Sequence, residues 1–181
     1  MKKTAYNIAR MLIMLIPMSA STLPAAWAVD HLESLSIEAP NKIGSLIVGQ
    51  SNYAEVVALL GMPEFTENIK ENLTKQDIME LRYPLKGIEF TIDKNKQMRV
   101  VRIEIYRPFE GSSVDGLRIG MPVAEAKRII SSRFGKPNIE LDGYVDWEIP
   151  NTLALKYEDG IVIAIKMLGT LNPTNSDHKQ F

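Results

Sequence analysis

The chain has 181 residues, no cysteine, two histidines and a formal net charge of −1. Without cysteine there can be no disulfide framework, thiolate metal site, cysteine nucleophile or lipid-bearing cysteine behind a leader. The near-neutral balance offers no electrostatic footprint for nucleic acid and no polybasic patch for an anionic membrane.

The first ten residues carry Lys2, Lys3 and Arg10 with no acid, an apolar run over 11–18 follows, and Ala26-Trp27-Ala28 supplies a small-x-small pattern. These are the n-region, h-region and cleavage site of an export signal, and the run is far shorter than the roughly 20 residues that span a bilayer. Pro17 and Pro24 would interrupt a buried N-terminal helix. We therefore expect residues 1–28 to be cleaved after Ala28, giving a periplasmic or secreted protein with no stable membrane anchor. Loss of three positive charges moves the balance to −4. About 150 remaining residues bury roughly 68–70% of the unfolded surface, enough for a core without staples.

After an N-terminal segment, 29–40, in which 32–37 reads as a short helix, the chain repeats itself. Val48-Gly49-Gln50-Ser51-Asn52-Tyr53-Ala54-Glu55, running to Leu60-Gly61-Met62-Pro63, is echoed by Ile119-Gly120-Met121-Pro122-Val123-Ala124-Glu125, running to Phe134-Gly135-Lys136-Pro137. In the first copy Asn52 and Glu55 have capping-box spacing, and Tyr53, Val56, Val57 and Leu60 share a helical face. In the second, Pro122 suits a first turn and Val123, Ala126, Ile130 and Phe134 form the stripe. A glycine and a proline close each helix.

Period-two stretches follow each helix: 78–83, 88–93 and 99–107, then 144–149, 153–158 and 161–168. Ile88, Phe90, Ile92, Val101, Ile103 and Ile105 are expected to face the first helix; Leu153, Leu155, Tyr157, Ile161, Ile163 and Ile165 the second. Asp159-Gly160 fits a tight hairpin and 94–98 a longer one. Residues 67–77 read as a polar helix or loop, 108–115 as a linker with Phe109 gluing its flanks, and 170–181 as a disordered tail. The expectation is an α+β fold of two tandem units, 41–109 and 110–169. Each is a short helix or helix pair packed on an antiparallel β-meander.

The pattern of Ile119-Gly120-Met121 through Phe134-Gly135-Lys136-Pro137, followed by strands, resembles the repeat of outer-membrane assembly lipoproteins of the SmpA/OmlA (BamE) type. Two such units in tandem resemble the β-lactamase inhibitor protein-like fold. The resemblance implies a non-catalytic protein-binding module, set in envelope assembly or maintenance. The family's anchoring cysteine is missing here, and the matched glycines and prolines shape backbone, so none is carried over as a contact.

No catalytic, metal or cofactor site emerges. His31 lies beside the cleavage point and His178 in the tail, poor places for the rigid positioning that catalysis needs. The acids Glu80, Glu89, Asp93, Glu104, Asp146, Glu148 and Glu158 fall mostly on the solvent-facing phase of strands. That phase is the candidate protein-binding surface, represented by Arg82, Glu89, Arg102, Glu104, Tyr106, Tyr144, Glu148 and Lys156; Tyr and Arg are enriched at hot spots. Trp147, in phase with Val145, reads as core. Competing readings are an inhibitor or immunity protein of a periplasmic or secreted enzyme, an envelope polysaccharide hydrolase with paired carboxylates about 5–9.5 Å apart, and an apolar-ligand carrier.

Overall fold

The computed structural model describes residues 35–38, 40–70, 77–148 and 152–169. The leader, both histidines and the tail lie outside them. Three two-residue strands come first: β1 (Ile37–Glu38), β2 (Lys42–Ile43) and β3 (Leu46–Ile47). Helix α1 (Tyr53–Leu60) leads into β4 (Phe65–Lys70), β5 (Asp77–Tyr83), β6 (Ile88–Asp93) and β7 (Arg99–Tyr106). Helix α2 (Val123–Phe134) leads into β8 (Ile139–Leu141), β9 (Tyr144–Glu148), β10 (Thr152–Glu158) and β11 (Ile161–Leu168).

The expected fold class is corrected here. Strands from both halves of the chain form one eight-stranded antiparallel sheet in the order β4-β5-β6-β7-β11-β10-β9-β8, accompanied by a three-stranded sheet β1-β2-β3. Among the described residues the fold is mainly β, and the helices of 8 and 12 residues are minor elements. Two helix-on-meander units do not describe it, because β7 pairs directly with β11, Ile105 opposite Ile165, and removes any boundary in the sheet.

The helices form for the reasons their sequences give. The Asn52 side chain accepts from the N–H groups of Ala54 and Glu55, and Glu55 accepts from Asn52 N–H, so the capping box closes. Each helix stops at a glycine with positive φ, 81° at Gly61 and 85° at Gly135, whose N–H donates back to Val57 and Ser131 respectively. Two buried aromatics then fasten these stops. Tyr83 Oη donates to the Gly61 carbonyl at 2.9 Å, and Trp147 Nε1 to the Gly135 carbonyl at 3.1 Å.

Apolar residues at alternate strand positions build the core on one face of the large sheet. Leu81, Tyr83, Ile88, Phe90, Ile92, Ile103, Ile105, Val145, Trp147, Leu153, Leu155, Ile165 and Met167 all meet there. Val56 and Leu60 of α1, Ala126 and Ile130 of α2, and Ile37, Ile43 and Leu46 of the small sheet complete it. Phe109 is buried in this core, and the 108–115 stretch is tied down by bridges of Ser113 to Ile37 and Ser112 to Arg118.

Several local expectations are revised. Residues 65–70, expected in part as polar helix or loop, are edge strand β4, while 71–76 lie outside the described residues. Of the proposed helix over 32–37, the described part ends in β1. Strand β8, exposed throughout, adds an edge that no sequence pattern marks. Val101, Ile161 and Ile163 do not face the core; Val100 and Val162 do, with no exposure, while Ile163 is 40% exposed. The cause is a bulge in each strand, with Thr91 opposite Arg102 but Ile92 opposite Val100, and Lys156 opposite Ala164 but Tyr157 opposite Val162. Among the described residues no helix is long and apolar enough to cross a membrane.

Candidate functional site: the open face of the sheet

Alternation places a second set of side chains on the face away from the core. One row runs across all eight strands in register: Phe65, Arg82, Glu89, Glu104, Lys166, Ala154, Asp146 and Ile139. A neighbouring row carries Glu67, Glu80, Thr91 and Arg102. A third carries Tyr106, Ala164, Lys156 and Tyr144.

The charges on this face are linked into two clusters. Arg82 pairs with Glu67 at 3.0 Å, Glu80 at 2.6 Å and Glu89 at 3.4 Å, while Arg102 reaches Glu80 at 3.1 Å and Glu89 at 2.8 Å. Beside this acid-rich group, Lys156 and Lys166 each approach Glu104 at 3.1 Å, one on each carboxylate oxygen. The hydrogen bond to Glu80 is the main reason the Arg82 guanidinium is held above its usual range. Burial would raise the Glu104 carboxyl, but the hydrogen bonds from Lys166 and Lys156 outweigh it and hold the group below its ordinary value.

The two tyrosines of the face are phenols at neutral pH. Burial, then a hydrogen bond to Asp146 at 3.1 Å, pushes Tyr144 up to about 12; burial and the nearby Glu89 and Glu104 raise Tyr106. Among the described residues, three polar atoms on this face are buried without a hydrogen-bond partner: Thr91 Oγ1, Arg102 Nε and Asp146 Oδ1. The sheet edges are apolar in part, with Phe65 62% exposed on β4 and Leu141 62% exposed on β8. Among the described residues no three of His, Asp or Glu converge so as to hold a metal ion.

Of the eight residues read from the sequence as a binding surface, Arg82, Glu89, Arg102, Glu104, Tyr106, Tyr144 and Lys156 share this face. The backbone of Glu148 pairs with Thr152 in the same sheet, and its side chain lies outside the described residues. Glu67 joins the face from β4, a strand whose almost fully exposed residues carry no alternation to mark it. Asp146, Lys166 and Glu80 were readable as outward-facing, but their part in the ion network depends on pairings that alternation alone does not supply.

No family model matches the chain, and no curated protein matches it. Among solved structures, a DUF4309 family protein (YjgB) from Bacillus subtilis is similar at 15% identity with a TM-score of 0.40, over 80% of this chain and 97% of that one. A likeness this slight carries no argument about fold or function.

Proposed function

We propose that the protein is a non-catalytic protein-binding module whose docking platform is the open face of the eight-stranded sheet. The observation that carries the reading is the division of that sheet, with the apolar cluster on one face and the linked Arg, Lys, Glu and Tyr side chains on the other. Such a face supplies hot-spot residue types on a rigid scaffold, and side chains already fixed by ion pairs lose little further entropy when a partner docks. Glu80, Glu89 and Glu104 are each engaged by cations, which suits recognition better than proton transfer to a substrate. An exported protein of this kind would work in the cell envelope.

The test is face-specific covalent capture. A photo-crosslinking residue at Tyr106 should yield a discrete adduct in an envelope extract, competed by unlabelled wild-type protein and lost in an Arg102→Glu background. The same residue at Ala58, exposed on α1, should not. Equal adducts from both positions, or none at Tyr106, would count against the platform.

A further inference from the structure

We infer that β4 is the edge by which the protein associates with a second copy of itself: two β4 strands pair antiparallel about a two-fold axis at Glu67 and continue one sheet through both copies.

A strand at the margin of a sheet presents a row of unpaired N–H and C=O groups to any second strand. The two margins of this sheet are unequal. β8 is three residues long, and its Leu141 carbonyl already accepts from Tyr157 Oη at 2.8 Å. β4 is six residues long, and all of them except Ile69 are exposed. On the open face it carries Phe65 and Ile69 on either side of Glu67, apolar side chains at the place where edge strands usually carry charge.

The occupant is a second copy because the strand is complementary to itself. Facing residues of an antiparallel pair point to the same side of the sheet, so a two-fold axis normal to the sheet must pass through a residue position and not between two. Centred on Glu67, the register sets Glu64 opposite the second copy's Lys70, Phe65 opposite its Ile69 and Thr66 opposite its Asn68, each pair occurring twice. Centred on Thr66 it would set Phe65 against Glu67, and centred on Asn68 it would set Ile69 against Glu67. The Glu67 register alone matches opposite charges and apolar with apolar. Among the described residues Glu64 and Lys70 form no salt bridge within their own chain, so both are free for the exchange. The one like-charge contact, Glu67 with its copy, is met on each side by Arg82 at 3.0 Å. The axis keeps both open faces on one side, so the polar face is doubled and left uncovered. Contact through one strand from each copy belongs with small, transient interfaces, below roughly 1,200 Å², and the dimer is expected to depend on concentration.

The test is sedimentation velocity of the purified full chain over a concentration series. A reversible monomer-dimer equilibrium is expected. A monomer at every concentration overturns the inference, including the case in which the edge takes a strand from a different protein. Glu64→Lys and Lys70→Glu, both at exposed positions, should each weaken the dimer roughly 10-fold, because each turns two opposite-charge pairs into like-charge ones. An equimolar mixture of the two variants should restore association, since every facing pair in the mixed dimer is again of opposite sign. Single variants that dimerise like wild type, or a mixture no stronger than its components, overturn the register. The chain has no cysteine, so Glu67→Cys reports on the axis directly. Mild oxidation should join two copies at Glu67→Cys, whereas Phe65→Cys, which faces Ile69 and not itself, should stay monomeric in the denatured, non-reduced state. Equal cross-linking at both positions, or none at Glu67→Cys, places the axis elsewhere and overturns the proposal.

Discussion

Replacing Glu104 by Gln preserves the side chain's shape and removes the charge that Lys156 and Lys166 share at 3.1 Å each. The Lys156 side chain is 42% exposed, so its pair is a surface ion pair contributing about 0–1 kcal/mol. The Lys166 and Glu104 side chains are only 20% and 14% exposed, closer to the desolvated, charge-assisted class worth about 1.5–3 kcal/mol. The amide oxygen of Gln still accepts a hydrogen bond and restores about 0.5–1.5 kcal/mol. A net loss of about 2 kcal/mol is expected, or a Tm lower by roughly 4–8 °C for a domain of this size. Urea and thermal unfolding at neutral pH measure it. Because the Glu104 carboxyl is held below its ordinary value in the folded state, its contribution is fully present above the unfolded value of about 4.3. It disappears as pH falls through the folded value, so the gap between wild type and variant should close in acid. A variant within about 0.5 kcal/mol of wild type at neutral pH, or a gap unchanged in acid, would refute the reasoning.

The two aromatic fasteners should differ in strength. Tyr83→Phe deletes one hydrogen bond and is expected to cost about 0.5–1.5 kcal/mol, while Trp147→Phe also empties part of a buried ring site and should cost about 2–3 kcal/mol; amide exchange should accelerate selectively at the ends of α1 and α2. Tyr83 and Tyr144 should both titrate at about 12, Tyr83 chiefly through burial and Tyr144 through burial and its bond to Asp146. Their folded pKa values are raised, so the stability they contribute is intact below the unfolded value of about 10 and is lost as pH rises towards the folded one. Tyrosinate absorbance in wild type, Tyr83→Phe and Tyr144→Phe checks this, and ordinary titration of either residue contradicts it.

What the sequence made legible follows physical lines. Both helices carry their own start and stop chemistry, so their bounds were readable from Asn52, Gly61, Pro122 and Gly135. Interior strands β5, β6 and β10 alternate because one face is buried. Edge strands β4 and β8 were not readable, since almost every residue in them is exposed and no burial pattern marks them. The continuity of the sheet was not readable either. It depends on β7 meeting β11 across more than fifty residues of chain, and local periodicity is silent about which strands become neighbours. The binding-face candidates were largely gathered on one face, whereas their partition into an acid-rich and a lysine-rich cluster required the register.

The bulges connect these failures to the face itself. Val100 must turn inward because its N–H and carbonyl bond to Ser51 and Gly49 in the loop before α1, and Val162 does the same with Met121 and Gly120 before α2. From an inward Val100, strict alternation would bury Arg102 and Glu104; from an inward Val162 it would bury Ala164 and Lys166. One extra residue in each strand, Val101 and Ile163, reverses the phase. Ile103, Ile105, Ile165 and Met167 thereby fill the core while Arg102, Glu104 and Lys166 turn to the open face. The same loops that seat the helices therefore fix which residues lie on the open face. The shifts in phase at Val101 and Ile163 set the polar face opposite the core.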